Sequence, residues 1–578
     1  MSASAQCLAT WFPRGCSLKP PAGCERWAAA RVPHSPLPGR PTGRAARPSR
    51  LVLGGHALSP RGLPRYDTRA ACPAREGRRR GCPPVAPHTY KGAAPWAVRH
   101  RRRPGTGMSP AGRDLSLWRQ LVQHERGDTH QREVPAPSPC LFGGHRMIQR
   151  PNVVDGCFLR YEQEQPSFRP YSGLIMRAAG PPPAVDRVRE QVADRVGRMP
   201  ALAWRVSKRG RRTVWEVDPH FRPHDHVHEV RLAEGATVEE AVDDLLCLPM
   251  PEQSPRWGIW LIHGYSDREY VLFYRSHHAG QDGQAMMDTL TTLFGTQTSV
   301  APLAPVGAPA ATQPWWQRIP ARAIAQNLKD QVEALRPTLS WSPQRPLTGR
   351  GRVRSAAVPM AWLRETGQAM GATSNDICLA ALAQAMRQWL PENWIASGQH
   401  GRDLHVCLPV SLREPEERFM VGNRLSACRI PLSFWEDSIP ARVAAISRAT
   451  APAKTEETRR VLRAQLRLPE RLVYRFLRQS TQARNGLDTT GLVRLPERLA
   501  MGADPIETVV VTQFLHGEHA LGVAFLAYGG TVVASVTADC ALDDAGDLAA
   551  LWASAVEHMW HQAAAGSRKS VQVPTTSA

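Results

Sequence analysis

A β-rich run, Glu269 to Arg275 (EYVLFYR), leads into His277-His278-Ala279-Gly280-Gln281-Asp282-Gly283, and from Gly283 the chain reads as a helix, GQAMMDTLTTLF. The pattern HHxxxDG therefore sits on a strand-to-helix junction. Neighbouring side chains of extended backbone point to opposite sides, so His277 and His278 are not expected to face one reaction channel together; one acts and the other supports it. Neutral imidazole is the side chain best suited to take a proton near pH 7, which makes a histidine at this junction a candidate general base. Asp282 falls where the helix begins, where its carboxylate can accept unpaired amide hydrogens or pair with an arginine. The competing reading is a surface loop with a doubled histidine and an N-capping aspartate.

A length of 578 residues, a net charge of +22 and a pI near 10.2 suggest several domains and a nucleic-acid partner. The distribution of the charge removes that suggestion. Residues 1–146 hold 25 Lys or Arg against 7 Asp or Glu, leaving 48 basic and 44 acidic groups for the rest. That leader also contains 20 of the 51 prolines, without sustained apolar periodicity, so it cannot bury enough surface to offset the entropy of ordering and is expected to be disordered. It can be read as a nucleic-acid-binding arm around Arg78-Arg79-Arg80 and Arg101-Arg102-Arg103, or as a transit peptide. The favoured reading is translation from an upstream start, with Met108 or Met147 the working beginning. Aromatics among the arginines are few, prolines oppose an amphipathic helix, and no nucleic-acid partner is assigned.

No run of about 18 apolar residues is present, nor a signal peptide, so a cytoplasmic protein is expected. Cys157, Cys247, Cys378, Cys407, Cys428 and Cys540 are scattered without CxxC spacing and read as reduced core residues. His220, His224, His226 and His228 match no standard zinc spacing, and a polar loop entering a strand at Val227 to Leu232 is preferred to a metal site.

Ordered sequence begins near Pro151. Val185, Val188, Val192 and Val196 recur at helical spacing, Thr237 and Glu240 form a capping box, and Gly258 to Ile262 makes a hairpin with the strand that carries the histidines. Residues 298–314 are Pro/Ala-rich and open a crossover that extends to about residue 350. In the second half, Ser374-Asn375-Asp376 starts a helix that is apolar around most of its circumference. Strands follow at His405 to Leu412 and Leu425 to Leu432, with Gly422-Asn423 in the turn between them. Leu521 to Asp539 reads as a hairpin about Gly529-Gly530, and a closing helix is expected from about Asp543 to His558. Strands and helices mix in both halves, so the fold class is α/β (α+β) with two lobes, residues 147–297 and 351–578.

These residues, taken in order, resemble the bacterial wax ester synthase and acyl-CoA:diacylglycerol acyltransferase family from about Met147 to Glu557. Alongside His277 to Gly283, the family's Pro-Leu-Trp segment is similar to Pro255-Arg256-Trp257, with Arg in place of Leu. Its Asn-Asp helix start is similar to Asn375-Asp376, its Pro-Val-Ser strand to Pro409-Val410-Ser411, and its W..D..F....HV pattern to Trp215, Asp218, Phe221 and His226-Val227. Where the family has Asn-Val-Pro-Gly-Pro, this chain has Leu492-Val493-Arg494-Leu495-Pro496, keeping a proline and losing the glycine.

The resemblance implies two lobes of the chloramphenicol-acetyltransferase type with a channel between them and HHxxxDG midway. His278 is then the base, supported by His277, Asp282 and Gly283, while Pro255, Trp257, Asn375 and Asp376 are channel or structural positions. The implied reaction is transfer of a long-chain acyl group from acyl-CoA to diacylglycerol or a fatty alcohol, with acyl-CoA as substrate and no cofactor or metal. Two rivals stand beside it: a condensation-type domain using carrier-bound substrates, and an inert lipid-binding protein. Seven arginines between Arg459 and Arg478, interleaved with apolar residues around Pro469, suit peripheral contact with an anionic membrane or lipid droplet.

Overall fold

The computed structural model describes residues 148–571, apart from 166–167, 298–320, 334–336, 344, 400, 476–485, 516–518 and 544. The basic leader and the Pro/Ala-rich stretch at 298–314 lie outside the described residues.

Two six-stranded sheets organise the rest. The hairpin expected around the histidines is present: β6 (Trp257–His263) pairs antiparallel with β7 (Glu269–His277). On its other side β7 meets β2 (Tyr171–Ala179), and β5 (Val227–Arg231) joins β6 in parallel. Helices cover both faces. On one, α2 (Val185–Val196) buries Val188 and Val192 with Leu174, Leu261 and Leu272; on the other, α3 (Val238–Cys247), capped by Thr237 as its sequence indicated, buries Val242 and Leu245 with Ile262 and Phe273.

The second sheet runs β10 (Leu425–Pro431), β9 (His405–Ser411), β11 (Leu487–Arg494), β14 (Leu521–Tyr528), β15 (Thr531–Asp539) and β8 (Gly351–Pro359). The β14–β15 turn holds Gly529 and Gly530 at φ 63° and 93°, the left-handed backbone that a two-residue hairpin of this type demands. Against this sheet lies α7 (Ser374–Trp389), buried from Ile377 to Ala383 as its all-round apolar pattern requires, and packed by Trp552 of α10 (Ala545–Val571).

The structure alters the lobe boundaries. A short strand β12 (Ala500–Met501) and β13 (Asp504–Thr512) leave the second half of the chain and complete the first sheet, β13 pairing antiparallel with β2. Residues 351–578 are therefore not a lobe of their own. The crossover also contains a helix, α5 (Ala321–Glu333), and the closing helix runs well past His558. No helix among the described residues is long and apolar enough to cross a membrane.

Candidate active site

The junction is held from four directions. From below, α1 (Val153–Glu164) begins at an Asn152–Asp155 capping box. From above comes the turn Gly422-Asn423, just ahead of β10. The N-terminus of α4 (Gly283–Phe294) and the β7 strand end supply the other two.

His277 is buried. Its Nδ1 accepts the Ala279 amide hydrogen at 3.0 Å, so Nε2 carries the proton and donates to Glu162 Oε2 at 3.1 Å. Burial pushes the His277 pKa down, against the pull of Glu162, which keeps the ring neutral. Burial also tends to raise the pKa of Glu162, but the His277 hydrogen bond and the Arg256 guanidinium, whose Nη1 lies 2.7 Å from Oε2, outweigh it and bring it to about 2.

His278 has both backbone groups fixed: its N–H donates to Pro170 O at 2.7 Å, and its carbonyl accepts from Asn423 Nδ2 at 2.7 Å. The half-exposed ring lies between Phe158, 4.8 Å away, and the edge of Phe514, 5.1 Å away. The two rings have different surroundings: His277 is buried against Glu162, while His278 keeps partial exposure between Phe158 and Phe514. Both nonetheless touch α1, since the strand ends at His277 and the chain turns from His278 to Gly280.

Asp282 both caps and pairs. Its Oδ1 accepts from Ala285 N at 2.9 Å, and its Oδ2 accepts from Arg413 Nη2 and Arg424 N, each at 2.8 Å. Arg413 is itself buried and also donates to Gly422 O and Glu417 O, so one ion pair joins the helix start to the second half of the chain. Asn423 completes the clamp: it donates to Ala279 O and to Asp155 Oδ1, and Gly422 N donates to Gly280 O at 2.8 Å. Trp215 Nε1 reaches Asp155 Oδ2 at 3.3 Å. At Gly283 a Cβ would meet open space, so no protein neighbour demands glycine there.

The other sequence-derived positions lie outside this cluster of contacts. Trp257 donates from Nε1 to Leu202 O and stacks on His226, with Pro255 buried just before it. Asn375 Oδ1 accepts from Leu492 N, holding the irregular stretch of β11 that follows Thr489. Asp376 is a buried cap of α7, bonded by Thr373, Thr450 and Lys454. These are structural roles. His228 packs against Trp260, and among the described residues no group of three or more His, Cys, Asp or Glu could hold a metal. The described cysteines are free.

Residues 152–341, which include the junction and its α1 support, match the family model for the wax ester synthase/diacylglycerol acyltransferase catalytic domain. This stretch is thus similar to that family's catalytic domain. A Mycobacterium tuberculosis protein provisionally named a diacylglycerol O-acyltransferase is 26% identical over 243 residues, covering 36% of this chain and 51% of its own. A second from the same organism is 24% identical over 303 residues, 47% of this chain and 64% of its own. The chain thus spans about half the length of the curated relatives it matches first. The fold is similar to that of a wax ester synthase/diacylglycerol acyltransferase from Marinobacter aquaeolei VT8, at TM-score 0.53 and 18% identity over 72% of this chain and 100% of that one. It is also similar to the first condensation domain of the calcium-dependent antibiotic synthetase, at TM-score 0.52 and 16% identity over 72% of this chain and 97% of that domain.

Glu162, Asp155, Asn423 and Arg413 escaped the sequence reading as site residues. The Asn152-x-x-Asp155 spacing, a capping-box pattern, could have pointed at one of them, and Gly422-Asn423 was read only as a turn.

Proposed function

We propose that this protein is an acyl-CoA-dependent O-acyltransferase acting on a lipid alcohol. The observation that carries the reading is the state of the junction: a neutral His277 locked from behind, and beside it His278, fixed through its backbone while its ring remains half-exposed among aromatic side chains. A base held this way can meet an apolar alcohol without reorganising. His278 takes the hydroxyl proton as the alcohol oxygen attacks the thioester carbonyl. The carbon–sulfur bond then breaks, and the proton passes to the leaving thiolate, giving ester and free CoA. A thioester is already activated, so the step needs neither a covalent acyl-enzyme nor a cofactor. The alcohol is taken to be diacylglycerol or a fatty alcohol, in keeping with the names of the similar proteins. Purified full-length chain supplied with long-chain acyl-CoA and a panel of alcohols tests this through CoA release and the lipid formed; absence of transfer to every alcohol would favour an inert or carrier-dependent role.

We further propose peripheral contact with anionic lipid surfaces. Arg463 is engaged by Glu414 and Glu417, while Arg459 and Arg460 face Glu456, so the basic stretch is smaller than its sequence suggested; Arg478 lies outside the described residues. Around the break at Pro469, however, Leu468 is 37% and Leu472 62% exposed beside the exposed Arg471 and Arg475. Leucines flanked by arginines fit acyl chains beneath anionic headgroups. Co-sedimentation with vesicles that rises with anionic lipid, falls with salt and is lost in Leu472→Asp supports the contact; binding indifferent to all three contradicts it.

A further inference from the structure

We infer that Glu162 and Arg256 are positioning residues that hold His277 as the neutral, Nε2-protonated tautomer and so fix the loop presenting His278; the catalytic part of this rests on His278 being the base. The contacts close a ring. The His277 N–H donates to Arg256 O at 2.9 Å, the His277 side chain donates to Glu162 Oε2, and Arg256 Nη1 donates to that same oxygen. Opposite Glu162, the imidazole lone pair receives the Ala279 N–H. A second proton on His277 would set an Nδ1–H against that amide hydrogen at 3.0 Å, two donors facing each other, and the Ala279 end of the loop would have to move. His278 lies between those two residues.

A buried carboxylate alone beside His277 would favour the imidazolium. Arg256 opposes this by adding a positive charge to the same oxygen and neutralising the pair. Other groups facing this point do not supply the balance. The Tyr171 ring is 5.8 Å from His277 with its hydroxyl 3.5 Å from Glu162, and Arg275 is turned toward the rings of Tyr171 and Trp260 and the carbonyls of Leu245 and Leu248. The arginine that replaces leucine in the segment before Trp257 thus has a place in the site.

The test is a pair of pH titrations on the full-length chain: kcat/KM for acyl transfer, and the ring nitrogens of 15N-labelled histidine, with His277 assigned by its disappearance in His277→Gln. Arg256→Leu, with Arg256→Gln as a second charge-removing variant, should move the acid limb and the His277 transition up by about one pH unit or more, and Glu162→Gln/Arg256→Leu should return both toward their starting positions. Glu162→Ala should lower kcat on the order of a hundredfold and leave KM for acyl-CoA near its starting value. An Nδ1-protonated His277 in the unmutated chain overturns the inference, as does an Arg256 variant, folded by its melting curve, whose two profiles superimpose on the original. A chain with no transferase activity would defeat the functional proposal, while the ring spectra would still decide the tautomer and its dependence on Arg256.

Discussion

Phe158 and Glu162 stand one helical turn apart on α1, and each touches a different histidine: Phe158 packs 4.8 Å from the His278 ring, while Glu162 accepts from His277 at 3.1 Å. One helix therefore supports both members of the junction. The division of labour follows from what each neighbour is, an apolar ring beside a half-exposed imidazole and a carboxylate beside a buried one.

The two histidines should separate in their effects on rate and stability. His278→Ala is expected to lower kcat by about a hundred- to ten-thousandfold with little change in melting temperature. His277→Ala also strands the Ala279 amide and the Glu162 carboxylate, and should lower stability by about 1–3 kcal/mol. Steady-state rates and urea unfolding of each variant check the pair; equal stability losses would contradict the assignment.

Asp282→Ala should behave as a structural lesion. It removes the α4 cap and leaves Arg413 as a buried, unbalanced charge, which typically costs about 3–5 kcal/mol. Asp282→Asn keeps a capping oxygen but loses the charge, so its urea midpoint should fall between those of the alanine variant and the unmutated chain.

Two glycines should respond in opposite ways to alanine. Gly422 has φ 91°, and a Cβ there would lie 2.5 Å from Asp155 Oδ2, so Gly422→Ala should destabilise the fold. At Gly283 the added methyl would meet open space, so Gly283→Ala should melt with the unmutated chain. Calorimetry of the two distinguishes a packing requirement from one that only a bound substrate would impose.

Acid stability provides a further check. Glu162 is depressed from 4.5 to about 2, so its contacts contribute stability that is fully present above about pH 4.5 and lost as the pH falls toward about 2. The gap in urea midpoint between the unmutated chain and Glu162→Gln should be widest near neutrality, shrink below about pH 4.5 and close only as the pH approaches about 2. A gap that stays constant with pH would show that the carboxylate is not held by charge.

Local patterns carried much of this architecture. The β6–β7 and β14–β15 hairpins, the Thr237 cap and the burial of α7 follow from periodicity and turn chemistry acting within a few residues. What stayed hidden depends on pairing across the chain. Nothing local in Asp504–Thr512 says that it will cross to β2, more than 300 residues earlier. Glu162 and Asn423 acquire meaning only when folding brings them to His277 and His278. HHxxxDG located the junction, but the chain direction after His277 decided where the second ring points.

The most direct measurement of the central claim is single-turnover acyl transfer from a long-chain acyl-CoA to diacylglycerol or a fatty alcohol, comparing the unmutated chain with His278→Ala after both are shown to be folded. The account predicts ester and free CoA in equal amounts from the unmutated chain, and a rate lower by at least about a hundredfold in the variant, with acyl-CoA binding largely retained. Near-normal turnover by folded His278→Ala would contradict it.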